Sequence, residues 1–137
     1  MSERFDSKGP RVGVMGYLSG PQRTVRVRFV IDTGASLSVI RPSILQFAGY
    51  EVATPSRKTV RMTTVSGVIE APVIPVKGLY ALEIERSPFA VVAYDFASQK
   101  IDGLLGLDFL RFDILTLDFH RGTISLRPPR PRWQFWR

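Results

Sequence analysis

The chain has 137 residues, of which 45% are hydrophobic and 23% charged, so it is long enough for one domain and apolar enough to bury a core. Its net charge is +7, and five basic residues follow Asp118, the last acidic residue, which leaves +2 for the rest. The absence of cysteine excludes disulfides, a thiol nucleophile and thiolate-bound metal, and a single histidine excludes histidine-rich zinc sites within one chain. The first ten residues are polar and no apolar run reaches the roughly 18 residues of a membrane-spanning helix, so we expect a soluble cytoplasmic protein.

Short apolar runs, punctuated by ten prolines and eleven glycines, predict an all-β fold because most of them alternate between apolar and polar residues. In chain order, we predict hairpins formed by 11–17 with 24–31, 58–65 with 68–76, 79–85 with 89–94, and 114–119 with 123–126. Short helical segments are predicted at 41–48, where Pro42 stands near the start, and at 107–112. We expect an N-terminal extension over 1–10, one domain over 11–126, and a basic tail rich in proline and tryptophan over 127–137.

The most informative segment is a strand that runs into an acidic turn. Residues 29–36 read Phe-Val-Ile-Asp-Thr-Gly-Ala-Ser, so an apolar strand ends at Asp32 and small residues follow it. By itself this pattern also describes an ordinary loop, because Asp, Thr and Gly all favour turns. About seventy residues later, Leu104, Leu105 and Gly106 again lie between apolar segments. The two motifs, with a predicted hairpin between them, are more informative together than either is alone.

In this order and spacing, the motifs resemble those of the retropepsin-like aspartic proteases, the single-domain family that includes the retroviral proteases. The segment 102–110, Asp-Gly-Leu-Leu-Gly-Leu-Asp-Phe-Leu, is most similar to bacterial members. Over residues 11–126 the resemblance implies a closed β-barrel or sandwich with a flap hairpin and one short helix on the C-terminal side. It also implies an aspartic endopeptidase that cleaves peptides or proteins and needs no metal or other cofactor.

The resemblance implies a role for each matched residue. Asp32 would be the catalytic carboxylate, supported by the loop residues Thr33, Gly34 and Ala35. Thr33 would hydrogen-bond across a dimer interface, and Gly34 would donate its N–H to the carboxylate. The motif beneath the active loop would be Leu104, Leu105 and Gly106, and the flap tip that covers the substrate would be Thr64, Val65, Ser66 and Gly67.

Hydrolysis by carboxylates needs one as general base and one as general acid. The chain has one such motif and is too short for two lobes, so we expect a C2 homodimer in which Asp32 of each copy faces the other. Two like charges about 3 Å apart repel by roughly 5 kcal/mol at an effective dielectric near 20, so the pair should share one proton. Ala35 stands where pepsin-like enzymes usually have a serine donor, and we therefore expect a mildly acidic pH optimum.

Several departures and alternatives stay open. Ser36 and Leu107 stand where viral members commonly have an acid and an arginine that pair near the interface, so dimer support must come from elsewhere. The same fold could bind peptides without cutting them, or the basic tail could contact nucleic acid or a membrane surface. The tail could also be disordered or form an interface strand near Trp133. Four acids are expected to cap elements or face solvent rather than bind metal: Asp102, Asp108, Asp113 and Asp118.

Overall fold

The computed structural model describes residues 2–96 and 100–131, and the fold within them is mostly β-strand. Its elements in chain order are β1 (Glu3–Arg4), β2 (Gly13–Ser19), β3 (Thr24–Ile31), β4 (Val39–Ile40), α1 (Pro42–Ala48), β5 (Thr59–Thr64), β6 (Gly67–Val76), β7 (Gly78–Ala81), β8 (Ile84–Arg86), β9 (Phe89–Ala93), β10 (Gly103–Leu105), α2 (Leu107–Leu110), β11 (Ile114–Asp118) and β12 (Thr123–Arg127). The predicted all-β class is confirmed. Both predicted helical segments form, the second in a shorter version.

Nine of these strands form one long sheet in the order β5-β6-β9-β4-β10-β3-β2-β7-β8, and three form a small sheet in the order β1-β12-β11. Most neighbouring strands are antiparallel, but β10 runs parallel to β3, and β4 runs parallel to β9. β10 lies between β3 and β4 in the middle of the long sheet. Because β3 and β10 are parallel, their C-terminal ends meet, and the two sequence motifs that follow them lie side by side.

Three of the four predicted hairpins form, with ends shifted by up to two residues. The pairing predicted for 79–85 with 89–94 is wrong, because β7 pairs with β8, and β9 pairs with β6 and β4. The turn between β7 and β8 consists of Leu82 and Glu83, whose φ angles are 53° and 64°. Tight hairpins need such left-handed residues, and Asn and Gly adopt them most easily. Neither Leu82 nor Glu83 is a residue type that signals this turn.

The N-terminal stretch contains a strand that the sequence pattern did not predict. β1 pairs with β12, so Glu3 lies opposite Ile124 in the small sheet. The interface strand considered near Trp133 lies outside the described residues. Among the described residues, neither helix is long and apolar enough to cross a membrane.

Two groups of buried side chains hold the long sheet together. The larger group includes Leu18, Val27, Phe29, Ile40, Leu45, Ile74, Leu79, Leu105 and Phe109. The smaller group consists of Val39, Ala71 and Val92, with Val60, Met62, Ile69 and Leu104 packed against it. Burial of each side chain of this kind stabilises the fold by about 1.5–3 kcal/mol relative to leaving it exposed. The smaller group fixes the base of the β5–β6 hairpin beside β4 and β10, which puts the hairpin next to the Asp32 loop.

Candidate active site

Asp32 is the first residue after β3 and begins the loop that leads to β4. Its backbone N–H donates to the Leu105 carbonyl at 2.9 Å, which extends the pairing of β3 with β10 by one residue. The Gly34 N–H donates to Asp32 Oδ1 at 3.0 Å, and the Ala35 N–H donates to the Asp32 carbonyl at 3.2 Å. The loop is therefore a compact turn that holds one oxygen of a half-buried carboxyl group.

Several side chains of this loop are exposed and make no hydrogen bond with the described residues. Thr33 is exposed, and its side chain makes no hydrogen bond with the described residues. Ser36 is also exposed, and Leu37 keeps 39% of its surface in solvent. A free hydroxyl and an apolar side chain thus stand beside the Asp32 carboxylate on the same exposed loop.

The second motif supports the loop from below. Leu105 is fully buried and lies opposite Ile31 in the parallel pairing. A Cβ atom on Gly106 would lie 2.8 Å from the carbonyl oxygens of Ala35 and Leu37, which is closer than real Cβ contacts come. The Leu107 N–H donates to the Ala35 carbonyl at 2.8 Å. The loop can rest this closely on the second motif only because residue 106 is glycine.

A buried hydroxyl and a carboxylate, which the sequence interpretation did not single out together, join the two motifs. Ser38 is fully buried, and its hydroxyl donates to Asp108 Oδ1 at 2.7 Å. The Ser38 N–H donates to the same carboxylate, with 3.0 Å to each oxygen. The Gly106 N–H donates to Ser38 Oγ at 3.0 Å. Ser38 thereby links the end of the Asp32 loop to the start of α2; its only sequence signal is a hydroxyl in the apolar run 37–40.

A second long-range contact fixes the segment that precedes β10. Asp102 accepts bonds from the Arg28 backbone N–H at 2.9 Å and from its guanidinium at 3.0 and 3.2 Å. Burial favours the neutral carboxyl and would raise the pKa of Asp102, but the hydrogen bonds and charge of Arg28, with the charge of Arg41, outweigh it and hold this pKa below its ordinary value. The hydrogen bonds from the Arg28 guanidinium to Asp102, and then the charge of Asp102, raise the pKa of Arg28.

Two of the four acids expected to cap elements or face solvent are largely buried in ion pairs instead. The Asp102 side chain is 14% exposed and pairs with Arg28, and the Asp113 side chain is 8% exposed and pairs with Arg86. A buried carboxylate needs a partner of this kind because burial without one is costly. The expectation of solvent-facing side chains is therefore wrong for Asp102 and Asp113.

The Asp32 loop and residues 61–63 of the β5–β6 hairpin line one cavity of about 530 Å³. At the tip, the Thr64 hydroxyl donates to the Gly67 carbonyl at 2.9 Å and accepts the Ser66 N–H at 3.3 Å. Gly67 has a φ of 124°, and Val65 is fully exposed. The four tip residues 64–67 do not line the cavity. The residues that line it are Asp32, Gly34, Ala35, Ser36, Leu37, Val39, Arg61, Met62, Thr63 and Leu104.

A larger concavity, of about 600 Å³, lies elsewhere, between the N-terminal segment and β2 and β3. Its acids are Glu3 and Asp6, and Asp6 Oδ1 already accepts the Lys8 N–H at 3.0 Å. Partial burial raises the pKa of Glu3, and the nearby negative charge of Glu83 raises it further. Neither acid stands on a loop supported as the Asp32 loop is, so we place the candidate active site in the smaller cavity.

Similarity to known proteins identifies the family and the fold. The sequence model of a family described as "Aspartyl protease" matches residues 14–109, and the chain belongs to that family. Among solved structures, the chain is similar to a retropepsin-like aspartic protease from Rickettsia conorii, with a TM-score of 0.65 and 18% identity over 92% of this chain and 88% of that one. The predicted retropepsin-like fold is confirmed. No curated protein sequence matches the chain.

Proposed function

We propose that the protein is an aspartic endopeptidase that works as a two-fold symmetric homodimer, in which the two copies of Asp32 form the catalytic pair. The Asp32 loop carries this proposal, because it holds a carboxylate at a cavity while Thr33, which does not line that cavity, is exposed and makes no side-chain hydrogen bond with the described residues. One loop supplies one carboxylate, whereas general acid and general base need two. A two-fold axis beside the loop would place its twin opposite and cover the exposed Thr33 side chain.

In the proposed reaction, water is the nucleophile. The ionised Asp32 of one copy takes a proton from a water molecule as its oxygen attacks the peptide carbonyl carbon, and the protonated Asp32 of the other copy donates to the carbonyl oxygen. The tetrahedral intermediate then collapses as the amine leaves with a proton from the pair. Proton sharing follows from the repulsion of two adjacent carboxylates. Thr33 would bond across the dimer, and Gly34 would hold the carboxylate orientation.

The β5–β6 hairpin is proposed as the flap of this enzyme. Its tip, Thr64 to Gly67, lies outside the cavity lining, and its Val65 is fully exposed; Val68, just after the tip, is 66% exposed. Apolar side chains at an unsupported tip favour a closed state in which they contact a substrate or the other flap. An extended peptide bound beneath the hairpin can form strand-type hydrogen bonds with it.

Asp32→Asn is the variant that tests the proposal, since it removes the charge and preserves shape. We expect the wild type to cleave a denatured protein mixture between about pH 3 and 8, the variant to leave it intact, and both to unfold at similar temperatures. Sedimentation of the active protein should show a dimer. Equal cleavage by both proteins, or an active monomer, would overturn the proposal. Cleavage by neither, with peptide binding retained, would favour a binding module with the same fold.

A further inference from the structure

We infer that the cavity recognises peptides that carry an acidic side chain beside an apolar one, and that Arg61 is the residue that selects the acid. This inference rests on the proposed function of the same site and names its substrate class. It concerns the cavity between the Asp32 loop and the β5–β6 hairpin.

The chemistry of the lining carries the inference. Among the described residues that line the cavity, Arg61 and Asp32 are the ionisable ones. The apolar lining residues are Ala35, Leu37, Val39, Met62 and Leu104. Apolar walls of this kind accept an aliphatic or aromatic side chain, and Arg61 is the cationic residue among the described residues that line the cavity.

Arg61 is available to a ligand. It lies on β5, the edge strand of the long sheet, on the exposed face that alternates with the half-buried Val60 and Met62. It makes no hydrogen bond or ion pair with the residues that the structure describes. Glu70 is its cross-strand neighbour on β6, yet the two side chains form no ion pair. A planar guanidinium with its donors free binds a carboxylate through two parallel hydrogen bonds.

A cation at this position also offsets the repulsion between the proposed catalytic pair and an acidic substrate residue. The pair carries a negative charge when it shares one proton, and it repels an acidic substrate residue bound nearby. The positive charge of Arg61 opposes this repulsion on its side of the cavity. In a two-fold dimer the residue occurs twice, once on each side of the scissile bond, so the preference for an acid should appear at equivalent positions on both sides.

Matched peptides provide the test. One apolar scissile sequence is flanked, at each position in turn, by Glu, Gln or Lys, and kcat/KM is measured with the wild type, Arg61→Glu and two controls. Arg26→Glu makes the same charge change on an exposed face of β3 outside the cavity. Glu70→Gln removes the negative charge of the cross-strand neighbour of Arg61. We expect the wild type and both controls to favour Glu over Gln by about tenfold at one position on each side, and Arg61→Glu to favour Lys.

Equal use of the three peptides by the wild type would overturn the inference, as would an equal change in preference in Arg61→Glu and Arg26→Glu, which would indicate only the net charge. Binding of the same peptides to Asp32→Asn, measured by fluorescence anisotropy, separates this failure from failure of the proposed function. Tighter binding of the Glu peptide that disappears with Arg61→Glu supports the inference even if no peptide is cut. Binding without regard to peptide charge contradicts it even if cleavage is efficient.

Discussion

Ser38 and Asp108 are seventy residues apart in sequence and 2.7 Å apart from hydroxyl to carboxylate. The same serine accepts the Gly106 N–H, so one side chain joins the Asp32 loop, the end of β10 and the start of α2. The serine is fully buried, which makes each of these bonds stronger than it would be in water. The position of the candidate catalytic carboxylate therefore depends on a pair that does not itself line the cavity.

Ser38→Ala should destabilise the fold and loosen the Asp32 loop. Without the hydroxyl, Asp108 loses one donor and the Gly106 N–H loses its acceptor, at a cost of about 1–3 kcal/mol. We expect a lower free energy of unfolding in urea and a kcat that falls more than KM rises. Ser43→Ala, an exposed serine in α1, is the control and should change stability by less than about 0.5 kcal/mol. An unaltered Ser38→Ala protein would show that the loop does not need this link.

Gly106→Ala should be poorly tolerated. The new methyl group would lie 2.8 Å from the backbone of Ala35 and Leu37, so the loop would have to move, at a cost of about 1–3 kcal/mol. Gly13→Ala is the matched control, since its Cβ would meet the Phe29 carbonyl at an ordinary 3.6 Å. Thermal unfolding of both variants checks the difference. Equal stability of the two would contradict the close packing of the second motif on the loop.

Asp102→Asn should change how stability depends on pH. The folded-state pKa of Asp102 lies below its ordinary value, so its charged form favours folding above the unfolded carboxyl pKa and loses that contribution as the pH falls through the lower, folded value. Above roughly pH 5 we expect the free energy of unfolding of the wild type to exceed that of the variant by about 1 kcal/mol. Below about pH 4 we expect this difference to close.

Asp95→Asn provides the control for that experiment. Asp95 also pairs with an arginine, Arg41, but its side chain is 72% exposed, where ion pairs contribute little. Urea unfolding at a series of pH values should show that Asp95→Asn lowers the free energy of unfolding much less than Asp102→Asn does. A gap between the wild type and Asp102→Asn that does not vary with pH would argue against the stabilising role of the charge.

Ala35→Ser should move the pH of maximal activity downwards. If the two copies of Asp32 form the proposed pair, a hydroxyl at this position of the loop can donate to its charged form and stabilise it. The profile of kcat/KM against pH for wild type and variant measures the effect. We expect the wild-type maximum in the mildly acidic range and the variant maximum at lower pH. A shift towards neutral pH would contradict this account of the residue.

The sequence predicts those strands and loops whose signals lie in residues adjacent along the chain. Alternation of Val27 and Phe29 with Arg26 and Arg28 identifies β3, and small residues after Asp32 identify the loop, because these signals are local. The Leu82–Glu83 turn escapes prediction, since neither residue type favours the left-handed conformation that the hairpin imposes on it.

The long-range contacts escape prediction for a different reason. Arg28 and Asp102 meet because β3 and β10 are parallel neighbours, and Ser38 meets Asp108 because β4 and β10 are antiparallel neighbours. Which charge faces which depends on strand order and register, and alternation within one strand leaves both open. A hydroxyl in an apolar run signals a buried hydrogen bond at Ser38, but its partner becomes clear only from the fold.

The activity of a mixed dimer, with one wild-type chain and one Asp32→Asn chain, tests the shared pair most directly. The two chains are co-expressed with different tags, and the mixed species is isolated by both. If the two carboxylates act as one acid–base pair, this dimer should have under about 1% of the wild-type kcat, with its fold and its dimer intact. Half of the wild-type activity would mean that each Asp32 works alone, and would contradict the account.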